Sequence, residues 1–177
     1  MVAENLKILI TGFPGSGKTT LVEKIIKQLG PREDIGGFIT REIREKGIRQ
    51  GFQLLSLDGQ QAILSHVNLK TPHRVGKYRV DLAAFENFLE RLNLLSPSIR
   101  LVIVDEIGKM ECLSAKFRET VLTLLSDSRL FLATVALHGT PFIERVKISS
   151  GIKLFEINSL NRNQLADGIM ELLKKKL

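Results

Sequence analysis

The sequence predicts an α/β fold with three layers, in which helices cover both faces of a mostly parallel sheet and an antiparallel β-meander lies at one edge. Two observations support this fold class. From residue 100 onward, short apolar runs alternate with segments of helical periodicity, which is the pattern of β–α–β units and of a parallel sheet. Residues 36–66 instead contain brief strand candidates separated by turn sequences, and connections this short join only antiparallel strands.

Length and composition indicate one domain. The chain has 177 residues, 44% of them hydrophobic, so it can bury a core of its own and disorder is excluded. Neither a linker nor an internal repeat is visible, and we assign residues 1–177 to a single domain with 36–66 as a meander insertion. The one cysteine, Cys112, cannot form an intrachain disulfide or a four-cysteine metal site, and we expect it to be an inert buried side chain.

The net charge of +7 favours an anionic partner, although three of the cations are lysines at the end of the last predicted helix, where they suit the helix dipole. A nucleic acid is therefore not required to explain the charge. The N-terminal residues resemble neither a signal peptide nor a membrane span, and the longest apolar run is too short to cross a bilayer. We expect a cytoplasmic monomer that does not bind a membrane.

The first two elements are a buried strand and a helix. Residues 6–11 form an apolar run without alternation, as in a parallel strand that is covered on both faces. Apolar residues then recur at helical spacing from Leu21 to Leu29, and Gly30 and Pro31 end the helix.

The next region contains the meander. Its strand candidates cover residues 37–40, 51–55 and 62–64, and the separating segments 45–47 and 58–60 have the composition of hairpin turns. A loop with Pro72 and Gly76 follows. Asp81 then caps a helix whose apolar face includes Phe85 and Phe88.

The remaining elements alternate regularly. Strands are predicted over 100–104, 130–135 and 153–157, and helices over 115–125, 141–146 and 161–175.

A phosphate-binding loop lies between the first strand and its helix. The segment fits G-x-x-x-x-G-K-[ST] (Walker A) and consists of Gly12, Phe13, Pro14, Gly15, Ser16, Gly17, Lys18 and Thr19. Backbone N–H groups from Gly15 onward can surround a phosphate at the positive end of the helix. Lys18 can reach the β- and γ-phosphates, the Thr19 hydroxyl can bind Mg²⁺, and Thr20 is placed to contact an α-phosphate.

The second half of the site follows the strand over 100–104. This strand brings Asp105 to the sheet edge where ligands bind, and we expect it at the end of a strand neighbouring the phosphate-loop strand, facing the same Mg²⁺ as Thr19 (Walker B). Glu106 follows directly and can polarise a water molecule that attacks the γ-phosphate. Lys18 and Glu106 are therefore the candidate catalytic residues. A charged strand end that only caps the next loop is the alternative.

Other polar residues are weaker candidates. Lys109 and Glu111 either assist the site or are solvated residues of a loop. Two groups of cations could form a basic flap over the nucleotide or simply a solvated hairpin face: Arg41, Arg44 and Arg49 in the meander, and Arg74, Lys77 and Arg79 in the next loop. Arg145 is a further candidate with the same alternative.

Several segments together resemble a P-loop nucleoside-triphosphatase family of thermophilic bacteria and archaea, whose human relative is called cancer-related nucleoside-triphosphatase. Besides the phosphate loop, the resemblance rests on Gly37-Phe38-Ile39-Thr40-Arg41-Glu42-Ile43-Arg44 with Gly47, Arg49, Gly51 and Phe52, on Val75-Gly76-Lys77-Tyr78 with Asp81, and on Val104-Asp105-Glu106-Ile107-Gly108-Lys109-Met110-Glu111. It covers essentially the whole chain. One departure is Ala133-Thr134-Val135-Ala136, where relatives often carry Gly-Thr-Ile-Pro, so a γ-phosphate-sensing role for Thr134 has weak support.

The resemblance implies a three-layer P-loop NTPase fold and Mg²⁺-dependent hydrolysis of ATP, GTP and other nucleoside triphosphates to diphosphate and phosphate, with little base discrimination. It also implies two nucleotide-binding segments. These are the phosphate loop, with the adjacent Thr20, and the residues Ile103, Val104, Asp105, Glu106, Ile107, Gly108, Lys109 and Met110.

Two other functions fit the same residues. A P-loop kinase for a nucleotide, a nucleoside or another small molecule has this length and uses mobile arginines, but no acceptor site is recognisable here. A nucleotide-dependent switch that binds RNA or protein is the second alternative, and its RNA affinity would fall steeply with salt.

Overall fold

The computed structural model describes residues 6–177. Residues 1–5, on which the expectation that the chain has no signal peptide partly rests, lie outside the described part. The strands are β1 (Lys7–Thr11), β2 (Ile35–Glu45), β3 (Ile48–Ser56), β4 (Gln61–His66), β5 (Arg74–Val75), β6 (Tyr78–Val80), β7 (Leu101–Ile107), β8 (Leu130–Val135) and β9 (Ile152–Glu156). The helices are α1 (Lys18–Leu29), α2 (Leu82–Leu92), α3 (Ala115–Ser126), α4 (Pro141–Lys147) and α5 (Arg162–Lys174), with a 3₁₀ turn over Glu111–Leu113.

All described strands belong to one mixed sheet with the order β5-β6-β4-β3-β2-β7-β8-β1-β9. The five strands from β2 to β9 in this order run parallel, and the four beyond β2 are antiparallel. The predicted parallel sheet with a meander at one edge is therefore confirmed. Strand β2 belongs to both halves, because it pairs in parallel with β7 and antiparallel with β3.

The hairpin formed by β5 and β6 was not predicted, since the sequence indicated only a loop there. It turns at Gly76, which has a φ of 59°, and Ser65 and His66 of β4 pair with its second strand. Its strands are two and three residues long. Strands this short contain too few residues to show alternation, so periodicity could not detect them.

Helices cover both faces of the sheet and enclose two cores. One core packs α2, α3 and α4 against the sheet, with Phe38 in edge-to-face contact with Phe85 and Phe88 at centroid distances of 6.1 and 5.8 Å. The other packs α1 and α5 against the opposite face. In β1, Leu9 enters the first core while Ile8 and Ile10 enter the second. This explains the apolar runs without alternation, because both faces of these strands are buried.

Strands β2 and β7 approach each other closely at Gly37. A Cβ added there would lie 1.8 Å from the carbonyl oxygen of Ile103, and the φ of Gly37 is 138°. Only glycine allows this contact, which sets the position of β2 beside the strand that carries Asp105.

The longest helix in the described part of the chain has 13 residues, whereas a helix needs about 20 to cross a bilayer. None of the helices formed by residues 6–177 is long and apolar enough to span a membrane.

Candidate active site

The phosphate loop joins β1 to α1 at the carboxyl edge of the parallel strands. Gly15 and Gly17 have φ values of 76° and 98°, which side chains disfavour. The turn is closed by a hydrogen bond from the Ser16 N–H to the Phe13 carbonyl at 3.0 Å. Gly17 caps α1 without a side-chain acceptor, so the first N–H groups of the helix are left for an anion.

Ser16 adds a second indication of a polar ligand. Its hydroxyl is buried and has no hydrogen-bond partner among the described residues, although buried hydroxyls are normally bonded. A Cβ added at Gly12 would lie 2.9 Å from this oxygen, so the hydroxyl lies close to the first glycine of the loop. A phosphate oxygen is an acceptor that such a donor can use.

Lys18 links the loop to the second segment. Its ammonium donates to the carbonyl oxygens of Gly12 at 3.1 Å and Phe13 at 3.4 Å, and lies 3.7 Å from Glu106 Oε2. The side chain is only 10% exposed. The cation is thus held at the loop, directly opposite the second strand-end carboxylate.

Asp105 is the most constrained polar residue of the site. Its Oδ2 accepts from the Thr19 hydroxyl at 2.8 Å and its Oδ1 from the Thr134 hydroxyl at 2.5 Å. The Thr40 hydroxyl donates to the Asp105 carbonyl at 2.6 Å. The predicted proximity of Thr19 and Asp105 is confirmed.

The strand order corrects one expectation. Asp105 does not lie on a strand next to β1, because β8 is inserted between β1 and β7. This insertion places Thr134, which is fully buried on β8, between the phosphate loop and Asp105. Thr134 therefore has a larger part in the site than its sequence context suggested.

A bulge aims both carboxylates at the loop. The pairing of β7 with β8 shifts between Val104 and Ile107, so Asp105 and Glu106 of β7 lie opposite the single residue Thr134 of β8. In a regular strand neighbouring side chains point to opposite faces, and a bulge re-aims them. Asp105 can consequently contact Thr19 while Glu106 faces Lys18.

Burial dominates the electrostatics of these acids. It raises the pKa of Asp105, against the hydrogen bonds from Thr134 and Thr19. Burial also raises the pKa of Glu106, which the Lys18 ammonium lowers and the Asp105 carboxylate raises. A cation at this edge would therefore be stabilised by two partly desolvated carboxylates.

Glu111 was expected either to assist the site or to be solvated, and the structure contradicts the solvated alternative. It is 5% exposed, and burial together with the charge of Glu106 raises its pKa to about 8. A Cβ added at Gly108 would lie 2.7 Å from Glu111 Oε2 and 3.0 Å from Glu106 Oε1, so the two carboxyl groups converge on this glycine. Cys112 next to it is buried with a pKa raised to about 12, chiefly by desolvation, in agreement with an inert side chain.

The candidate cations of the flap are engaged elsewhere. Arg44 and Arg49 pair with Glu42, and Arg49 also lies over the rings of Phe52 and Tyr78. Arg74 donates to the Gly76 carbonyl within its hairpin, and Arg79 donates to the Thr71 carbonyl in the preceding loop. Arg41 pairs with Glu23 of α1 at 2.8 Å. Lys109 and Arg145 are exposed, and the ion pair found at the Glu106 carboxylate in the described part of the chain is with Lys18.

The other residues of the second segment shape it. The side chains of Ile103, Val104 and Ile107 are fully buried in the two cores, and Met110 packs against one of them. Their role is to hold the strand end in place, while the polar groups that can meet a ligand belong to their neighbours. Thr20 is exposed beside the loop.

A family model described as NTPase matches residues 7–170. The chain belongs to this NTPase family. It is similar to the nucleoside-triphosphatase THEP1 of Thermotoga sp. (strain RQ2), with 44% identity over 96% of each chain. Solved structures of the family are similar as well: the crystal structure of THEP1 from Aquifex aeolicus has a TM-score of 0.85 at 35% identity, covering 95% of this chain and 99% of that one. The solution structure of a human cancer-related nucleoside triphosphatase has a TM-score of 0.81 at 33% identity, and the match covers 97% of this chain and 99% of that one.

Sequence reasoning missed Thr40 as a site residue and undervalued Thr134. Thr40 lies just beyond the last pair of the parallel strands β2 and β7, and Thr134 lies near the carboxyl end of β8, opposite the bulge. Both are therefore at the carboxyl ends of parallel strands, where ligands bind in sheets of this kind. A polar residue directly after an apolar run is the signal that could have found them.

Proposed function

We propose that this NTPase hydrolyses the terminal phosphate of nucleoside triphosphates, with Mg²⁺ bound by Thr19 and Asp105 and with Glu106 as the base for the attacking water. One observation carries the proposal: the phosphate loop and the strand-end carboxylates meet in pairs, Thr19 with Asp105 at 2.8 Å and Lys18 with Glu106 at 3.7 Å. Relatives named nucleoside-triphosphatase, such as the one in Thermotoga sp., support the activity.

The residues present fit Mg²⁺. The Thr19 hydroxyl and the Asp105 carboxylate are hard oxygen donors, and Mg²⁺ is typically held by one or two carboxylates together with substrate phosphates and water. Mg²⁺ bound there would neutralise charge on the phosphates.

The other roles follow from position. The loop amides and the Ser16 hydroxyl bind phosphate oxygens, and Lys18 neutralises charge on the β- and γ-phosphates. Glu106 lies opposite Lys18, where it can accept a proton from a water molecule that attacks the γ-phosphorus, while the bond to the β-phosphate oxygen breaks. Asp105 is assigned to Mg²⁺ and not to the water, because the Thr19 hydroxyl, the other proposed ligand of the ion, lies 2.8 Å from its Oδ2.

The test is the Glu106→Gln variant. It keeps the size of the side chain and removes the base, so nucleotide affinity should remain within about twofold while phosphate release falls about 100- to 10,000-fold. Glu33→Gln, at an exposed glutamate beyond α1, is the matched control and should leave turnover unchanged. Normal turnover of Glu106→Gln would remove this residue from the mechanism.

A panel of ATP, GTP, CTP and UTP, each with and without Mg²⁺ and without any acceptor, tests the reaction class. Phosphate release that depends on Mg²⁺ and needs no acceptor supports a hydrolase. Stability of ATP until an acceptor is added would instead favour the kinase alternative.

A further inference from the structure

Leu160 is the most exposed large hydrophobic side chain among residues 6–177, at 91%. It lies in the loop between β9 and α5, which side-chain hydrogen bonds hold in one conformation. Asn158 Oδ1 accepts from the N–H groups of Leu160 at 2.9 Å and Asn161 at 3.1 Å, and Asn161 Oδ1 accepts from the Asn158 N–H at 2.9 Å. The loop thus holds an apolar side chain in a defined position facing solvent.

This loop begins against the phosphate loop. Strand β9 is the neighbour of β1, and the Ile157 N–H donates to the Thr11 carbonyl at 2.8 Å. A Cβ added at Gly12 would lie 2.7 Å from the Ile157 carbonyl oxygen. Leu160 follows three residues later, so it lies within about 10 Å of chain from this contact.

The orientation of a bound nucleotide follows from the strand order. Asp105 and Glu106 are on β7, on one side of β1, and β9 is on the other side. The γ-phosphate must face Glu106 for the proposed reaction. With the γ-phosphate there, the triphosphate lies across the phosphate loop and the nucleoside points towards β9, on the side where Leu160 lies.

We propose that Leu160 is the platform on which the base of the bound nucleotide packs. The proposal rests on the proposed function, because the orientation of the nucleotide is inferred from the γ-phosphate facing Glu106. Both side-chain groups of Asn161 are bonded within the loop, its Nδ2 to the Glu156 carbonyl at 2.9 Å, so the platform offers apolar contact more than polar recognition. It therefore accepts every base, and purines bury more of it than pyrimidines do.

The first test replaces Leu160 by serine. Losing part of the burial of a leucine should raise KM for ATP about five- to tenfold, with kcat changed less than twofold and with smaller increases for CTP and UTP. The matched control is Ile148→Ser, because Ile148 is 83% exposed and precedes β9, at the opposite edge of the sheet. The control should leave KM unchanged.

The second test uses fluorescence, since the chain contains no tryptophan. In the Leu160→Trp variant, ATP should quench or shift the indole emission, and inorganic tripolyphosphate, which has no base, should not. In Ile148→Trp neither compound should have an effect.

The outcomes separate this proposal from the proposed function. If the unaltered chain hydrolyses ATP but the Leu160 variants behave like the Ile148 variants, the base platform is refuted and the function stands. If the unaltered chain neither binds nor hydrolyses ATP, both proposals are wrong. A response of Leu160→Trp to tripolyphosphate equal to that to ATP would also refute the platform.

Discussion

Replacement of Glu111 by glutamine should make the protein more stable, and increasingly so as the pH rises. Glu111 follows β7 in the 3₁₀ turn, where burial and the nearby charges of Glu106 and Asp105 raise its pKa from 4.5 to about 8. The folded state therefore keeps this carboxyl protonated at pH values where the unfolded chain ionises it. Stability from this group is fully present below pH 4.5 and is lost progressively up to about pH 8.

The magnitude follows from the two pKa values. Each pH unit between 4.5 and about 8 removes about 1.4 kcal/mol from the free energy of unfolding. The loss is about 3 kcal/mol at pH 7 and approaches about 5 kcal/mol above pH 8. Glutamine has nearly the same size and does not ionise, so the Glu111→Gln variant escapes this loss.

Urea denaturation of both proteins between pH 5 and pH 9 is the appropriate assay. The difference between the free energies of unfolding, variant minus parent, should rise by about 4 kcal/mol over this range. Asp105 and Glu106 also have raised pKa values, but they are common to both proteins and their direct contributions cancel in the difference. Glu33→Gln serves as the exposed control. Curves for Glu111→Gln and the parent that stay parallel within about 1 kcal/mol would refute the reasoning, since each pKa unit corresponds to about 1.4 kcal/mol.

Two further substitutions test the framework around the site. Thr134→Val removes the hydrogen bond to Asp105 Oδ1 and should cost about 1–3 kcal/mol of unfolding free energy and slow phosphate release, whereas Thr134→Ser retains the hydroxyl and should remain near the parent in both assays. Gly37→Ala should cost about 3 kcal/mol or more in urea denaturation, because the added Cβ overlaps the Ile103 carbonyl. Gly36→Ala meets only the flexible end of Ile99 at 3.3 Å and should change stability by about 1 kcal/mol or less, so equal effects of the two alanines would contradict the close approach of β2 and β7.

Local sequence was sufficient for the parts of the site that depend on local structure. The phosphate loop was predicted because its glycines, its lysine and the flanking strand and helix are contiguous, and α1 begins at Lys18 as the motif requires. The pair Asp105 and Glu106 was predicted because an apolar run identifies a buried strand and the residues after it lie at a sheet edge. The double burial of β1 and β7 could be inferred from the same runs.

Tertiary structure alone decided which strands are neighbours and which polar groups are buried. Periodicity identifies a strand but carries no information about its partner, so the insertion of β8 between β1 and β7 and the contact of Thr134 with Asp105 could not be predicted. The same holds for Glu111, a charged residue of the 3₁₀ turn that is buried because the fold packs it against Gly108. The sequence by itself therefore determined the chemistry of the phosphate site, since this chemistry resides in contiguous residues. The folded chain determined the surroundings that orient the carboxylates and leave Leu160 exposed, since these depend on contacts between segments far apart in the chain.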